Sequence, residues 1–459
     1  MDIPVNKGDT IEGEIIDISH EGKGVVKIEG YTIFTEGGLI GDKVAIKITE
    51  TKKRYSLGKT LKIIEPSRYR VDTKCDISDY CGGCPLQGLD YNMQLEFKTN
   101  KVKNDLKKIG GLDDVIVHHI IGMDNPNRYR NKVQIPIGIE NGEAVIGFYK
   151  KGSHNISNIH VCNIQHEVAD KTVEIIREYI NEFKIEPYDN RTGNGLLRHI
   201  IVKNSFKTGD TMVVLVTNGN TLPYSSELIK MLKNRIPEIR SVIQNINTKK
   251  TNLVMGTKSQ VIYGEEKIVD YIGDLKFNIS AESFFQVNPI QTEVLYNKAL
   301  EYANLKGNET VFDIYCGIGT ISLFLAKKAK KVYGIESVSQ AIKDAKENAR
   351  INGIENVEFH SGNAEEIFPK LYEKGIKTDI VVVDPPRKGC DPQVIETIIK
   401  MKPEKVVYVS CNPSTLARDL RMLSENGFKV MEVQPVDMFP HTTHVESIIL
   451  MTYCGSREG

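Results

Sequence analysis

No stretch of this chain approaches the roughly 20 consecutive apolar residues that a membrane-spanning helix requires, and the opening MDIPVNKGDT lacks the apolar core of a secretory signal. A soluble, cytosolic protein without a membrane partner is expected. Net charge is missing as well. The 60 basic and 60 acidic residues cancel, so no global field draws the molecule to a polyanion, and any contact with nucleic acid rests on local patches. Without a secretory signal the eight cysteines do not read as a disulfide framework, because cytosolic thiols stay reduced. Metal binding, catalysis and plain burial remain for them. At 459 residues the chain exceeds the usual size of one domain, so two or three domains with cores of their own are expected.

Residues 1–66 contain β-branched runs (GEIIDI, GVVKI, YTIFT, DKVAIKITE) separated by glycine turns. Val44, Ile46 and Ile48 alternate with Ala45, Lys47 and Thr49, which predicts strands and a small closed β-barrel. Lys52, Lys53, Arg54 and Lys59 fit either a solvated surface or an RNA patch. Residues 67–280 read as a mixed α+β domain holding a cysteine cluster and a basic stretch, Lys98, Lys101, Lys103, Lys107 and Lys108. From 281 to 459 apolar runs (TVFDIY, KVYGIE, VEFHSG, DIVVVDPP, KVVYVSC) alternate with helical stretches. Such alternation predicts an α/β domain of Rossmann-like type, with a parallel sheet covered on both faces and ligands at the carboxyl ends of its strands.

Cys316-Gly317-Ile318-Gly319-Thr320 directly follows a predicted strand and precedes a helix, where small residues let a ligand approach the backbone. Ser322 stands where a dinucleotide fingerprint has its third glycine, which disfavours nicotinamide or flavin. Glu336 ends the next strand, about 20 residues on, where a carboxylate can accept hydrogen bonds from ribose hydroxyls. Asp384 tips a buried strand ahead of two prolines. Together these point to a cofactor containing adenosine.

Cys411 stands at the end of another strand, with Asn412 as expected N-cap and Pro413 as first helical residue. The positive end of that helix is expected to lower the thiol pKa. A thiolate facing a methyl donor suits pyrimidine chemistry, because its addition to carbon 6 of uracil makes carbon 5 nucleophilic. A base must then remove the hydrogen on carbon 5. Glu446 in FPHTTHVESIILM is the candidate, with His441 and His444 as competitors.

The ordered set FFQVNP, DIYCGIGT, DPPRKG, SCNPSTLARDL and HVESIILM resembles the bacterial uracil-5 RNA methyltransferases. The 23S ribosomal RNA branch is the nearest match: the N-terminal barrel resembles its TRAM domain and the cysteine set its iron-sulfur site. The resemblance implies S-adenosylmethionine contacts at Gln286, Tyr315, Glu336 and Asp384, with Cys411 as nucleophile and Glu446 as base. It also implies a single-stranded loop of 23S ribosomal RNA as substrate and a monomeric enzyme. Asn363 departs from the acidic residue that many relatives carry.

Cys75, Cys81 and Cys84 form C-x5-C-x2-C, which clusters as a metal site does but lacks a second C-x2-C. Spacing leaves tetrahedral zinc and a cubane equally open. The resemblance supplies Cys162 as fourth ligand and a 4Fe-4S cluster as occupant. Competing functions are a tRNA uridine-5 methyltransferase, a base-amino methyltransferase and a non-catalytic RNA chaperone. The amino-group enzymes expect an aromatic residue after the paired prolines, where this chain has Arg387. For RNA, the stretches Lys52–Arg54, Lys98–Lys108 and Arg128–Lys132 are expected to hold phosphates.

Overall fold

The computed structural model describes residues 3–251 and 253–455. Six strands form the N-terminal sheet, in the order Thr10–Glu14, Lys43–Thr51, Tyr55–Glu65, Tyr31–Glu36, Gly24–Ile28 and Asp17–Ile18. Its first and last members are halves of one bent segment. The Ile15 N–H donates to the Asp42 carbonyl and the Ile16 N–H to the Val25 carbonyl, so the sheet closes on itself and leaves no free edge. Val44, Ile46 and Ile48 point into its core while Lys47 and Thr49 face water. That core is completed from outside by Leu86 and Phe97.

A seven-stranded sheet follows, ordered Ile156–Asn158, Glu143–Tyr149, Lys132–Glu140, Leu197–Asn204, Thr211–Thr217, Ile239–Ile246, Lys258–Gly264. Helices Glu167–Phe183 and Ser225–Arg235 cover one face, packing Val173, Ile176, Leu228 and Leu232 on Val213 and Leu215. Met212, Val214 and Val216 point the other way, into the core of the C-terminal module. With both faces covered, Thr211–Thr217 is buried at every position, which is why it reads as a continuous apolar run.

The third sheet has eight strands in the order Val357–Ser361, Lys331–Glu336, Thr310–Ile314, Ile380–Val383, Lys405–Ser410, Glu446–Tyr453, Phe428–Val436, Ile116–Val117. The first five run parallel, and Glu446–Tyr453 is antiparallel to both of its neighbours. Strand order reverses between Thr310–Ile314 and Ile380–Val383, which opens a ligand crevice at their carboxyl ends.

Sequence order and spatial grouping part company at helix Tyr91–Lys108, which Asp90 caps by accepting from the Asn92 and Met93 N–H groups. Leu95, Val102 and Leu106 pack with Leu416 and Leu420 of the C-terminal module. The strand Ile116–Val117 extends the third sheet. This packing corrects the reading of Lys98–Lys108 as a phosphate-binding stretch. Lys98 is 0% exposed and paired with Asp437, and Lys101 donates to the Thr443 carbonyl at 3.1 Å. Helical spacing turns both inward, and Lys103, Lys107 and Lys108 alone stay exposed. Among the described residues no helix is long and apolar enough to cross a membrane.

Phe97 links the barrel core to this helix, so Phe97→Ala is expected to cost roughly 3–5 kcal/mol. The loss is read as a lower denaturant midpoint, in a single transition that takes the barrel and the C-terminal module together.

Candidate active site

The strand ends around the reversal point enclose a cavity of about 770 Å³. Glu336 is the last residue of its strand, whereas Tyr315, Asp384 and Cys411 are the first residues beyond theirs. Ser410 pairs with Ser447 across the antiparallel step; carried one residue further, that register sets Cys411 opposite Glu446. All five side chains line the cavity, as does Gln286. Gln286 reaches it on a loop pinned from the seven-stranded sheet: Asn131 donates its side-chain amide to the Gln286 carbonyl at 3.0 Å and its N–H to the Val287 carbonyl at 2.9 Å.

The floor is the loop 315–320. Tyr315 sits at φ 71°, a strained setting for a non-glycine residue, held by the bond from its N–H to the Ile335 carbonyl at 2.9 Å. A side chain at Gly319 (φ 82°) would collide with Phe359 at 2.9 Å, whereas Gly317 faces open space. The glycines thus serve helix packing and ligand approach respectively. Glu336 accepts from the N–H groups of Gly317 (3.3 Å) and Val338 (2.8 Å), which aims its carboxylate over the loop. Ser322, in place of a third glycine, donates to the buried Asp313.

Electrostatics set the resting state. Burial, then the charges of Glu446 and Asp384, push the Cys411 thiol up to about 12. Burial, then Asp384, raises Glu446 well above the usual carboxylate range. Burial, then Asp313, lifts Asp384 to about 7. The Arg387 guanidinium opposes both of the first two shifts. Asn412 does cap helix Pro413–Ser424 through Ser414 N–H, but the expectation that this helix lowers the thiol pKa is overturned. Desolvation and two facing acids outweigh the helix end.

His444 lines the cavity, and burial followed by the Arg387 charge holds it down to about 4, so it is neutral at pH 7. His441 does not line the cavity; its Nδ1 lies 3.3 Å from Gln94 Nε2. Sequence reasoning missed Phe284, 65% exposed at the cavity mouth, although it stands in FFQVNP. It also passed over Tyr296, whose hydroxyl lies 2.9 Å from that of Thr320 and which no local signal marks.

Cys75, Cys81, Cys84 and Cys162 line a separate enclosed cavity of about 20 Å³ walled by Ile77, Phe148, Val161 and Ile164, room for about one water-sized body. Burial and then its cysteine neighbours Cys162 and Cys81 push the Cys84 thiol up. The thiol donor set suits a soft cation, although among the described residues no group of three or more His, Cys, Asp or Glu side chains stands in ligating geometry.

The family described as tRNA (Uracil-5-)-methyltransferase matches residues 90–453, and the TRAM domain matches residues 4–61. An uncharacterized RNA methyltransferase of Clostridium tetani is 55% identical over 457 residues, covering 100% of this chain and 99% of its own. A similar one from Clostridium acetobutylicum is 52% identical, covering 98% of each. The crystal structure of Pyrococcus abyssi tRNA (uracil-54, C5)-methyltransferase with S-adenosyl-L-homocysteine superposes at a TM-score of 0.78 and 29% identity, over 96% of this chain and 100% of that one.

Because the Cys411 pKa lies near 12, its alkylation by iodoacetamide in the free protein should be slow at neutral pH. The rate should climb as pH rises and the thiolate fraction grows. Asp384→Asn, measured above pH 7 where Asp384 is ionised, removes a facing negative charge, lowers the thiol pKa and speeds the reaction, as followed by mass spectrometry of the Cys411 peptide. Equal rates in the two proteins would mean that Asp384 does not act on the thiol.

Proposed function

The chain belongs to the RNA (uracil-5-)-methyltransferase family and is an S-adenosylmethionine-dependent enzyme; from that premise we propose that it methylates carbon 5 of a uridine in a single-stranded loop of 23S ribosomal RNA, through a covalent adduct on Cys411. The observation that carries the chemistry is the register that opposes Cys411 and Glu446 at the end of one strand pair. S-adenosylmethionine, held by Gln286, Tyr315, Glu336 and Asp384, supplies an electrophilic methyl group on a positively charged sulfur. The carboxylates of Asp384 and Glu336 and the open backbone at Gly317 suit a cationic, adenosine-bearing ligand.

The chain's own groups do the rest. Cys411 gives its proton to a neighbouring carboxylate, for which Asp384 at about 7 is suited, while Arg387 favours the thiolate. The sulfur bonds to carbon 6 and the ring double-bond electrons pass to the carbonyl oxygen on carbon 4. They return through carbon 5 as that carbon takes the methyl group. Glu446 then removes the hydrogen from carbon 5, the double bond re-forms and the bond from Cys411 to carbon 6 breaks. Glu446 has to lose its own proton before this step, and the burial that raises its pKa then makes the carboxylate a stronger base. A loop uridine is favoured because carbon 6 has to leave the base stack to reach the thiol.

A tRNA uridine is the second reading, favoured by the similarity to the archaeal tRNA enzyme along nearly the whole chain. Mapping 5-methyluridine in both RNAs of a deletion strain separates the two. Loss at a 23S loop uridine, restored by the wild-type gene and not by Cys411→Ala, is expected; loss in tRNA alone would overturn the ribosomal assignment.

For the four cysteines we propose a 4Fe-4S cluster, supported by their meeting at one apolar cavity, whose walls have to part to admit the cluster in place of a single water-sized body, and by the family resemblance. Anaerobically purified protein should be brown and carry about four irons. Zinc without iron in that preparation would point to a single tetrahedral ion.

A further inference from the structure

Residues 437–445 connect strand Phe428–Val436 to strand Glu446–Tyr453 and carry His444 and Glu446 into the cavity. This connection is held from outside at the carbonyls of residues 437–441 and 443. Gln291 donates to the Asp437 carbonyl at 3.2 Å and Asn288 to that of Met438 at 3.0 Å. Tyr129 donates to Pro440 at 3.1 Å, the Leu86 N–H to His441 at 3.0 Å, and Lys101 to Thr443 at 3.1 Å. Even the barrel takes part, since the Thr443 hydroxyl donates to the His20 carbonyl at 2.9 Å.

Lys98 is the centre of this set. Its ammonium, 0% exposed, meets the Asp437 carboxylate at 2.5 Å and the Phe439 carbonyl at 2.9 Å. Asp437 in turn accepts from the Tyr91 hydroxyl at 2.8 Å. One helical turn before Lys98, Gln94 accepts from the His441 N–H at 3.0 Å. His441 has φ 68°, a backbone setting that persists only where its surroundings over-determine it. A buried ion pair of this kind is weak evidence for added stability, and its best-attested use is to specify one arrangement.

We propose that Lys98 is a positioning residue for the methyl transfer: by clamping Asp437 and Phe439 it fixes the 437–445 connection, and thereby the place of the group that takes the proton from carbon 5. The proposal rests on Glu446 being that group, and the test keeps the two apart. If the base is displaced, addition of Cys411 and methylation still occur while elimination stalls. The enzyme then accumulates as a covalent adduct with RNA, which a structural role alone would not produce.

Lys98→Met should lower kcat roughly 100-fold, the effect of a displacement of about 1 Å at a reacting group, with little change in KM for S-adenosylmethionine. A persistent enzyme–RNA band on denaturing gels should accompany it. Lys101→Met, which frees only the Thr443 carbonyl, should give a smaller effect of the same kind and carries the test if Lys98→Met does not fold. Glu446→Gln is run alongside. Adduct in the lysine variants but not in Glu446→Gln would overturn Glu446 as the base, while leaving the connection as the holder of the group that is. Adduct in Glu446→Gln with none in a folded lysine variant, or normal turnover in that variant, would overturn the role of Lys98.

Discussion

Asp384, Glu446 and Cys411 face one buried cavity with Arg387 as the cation acting on the thiol and its partner carboxyl. Desolvation favours the protonated form of each acid, and each acid raises the proton affinity of the next. The resting enzyme therefore holds a thiol rather than a thiolate, which protects an otherwise reactive nucleophile from alkylation and oxidation. A cationic ligand suits this site because its charge offsets the crowding of carboxyls. Tight burial of acids also demands a rigid frame, since a mobile carboxylate would swing out to water.

That frame is drawn from the whole chain. The barrel core accepts Leu86 and Phe97, the seven-stranded sheet buries one face in the C-terminal module, and helix Tyr91–Lys108 fills the gap between them. The barrel is consequently no loosely tethered RNA-binding appendage, and its tip touches the connection that leads to Glu446. The cysteine cavity joins the same frame. Cys84 and Cys162 pack against Tyr129, and Leu86, two residues after Cys84, holds His441. Support of the connection that leads to Glu446 is thus shared by segments lying hundreds of residues apart.

Much of the C-terminal module was legible beforehand because its signals are local. Alternation of apolar runs with helical stretches specifies a parallel sheet, and chain direction then brings Tyr315, Glu336, Asp384 and Cys411 to one edge. The barrel was legible for a similar reason, since period-two alternation with glycine turns admits few other solutions. Lys98 was misread because its neighbours are charged and exposed, and nothing in a helix's sequence says which partner will cover a given face. The helix end after Cys411 was identified correctly, yet its influence on the thiol was overestimated. The acids opposing it arrive from strands 27 residues before and 35 residues after it.

By itself, then, the sequence determined the residue types and the local elements that carry the chemistry, because strand period, caps and glycine turns act over a few residues. Tertiary structure alone decided which of those residues meet. Burial depth, the antiparallel register that sets Glu446 against Cys411, and the clamp of Lys98 on Asp437 are long-range properties. Their energies depend on desolvation and on charges brought together only when the chain is folded.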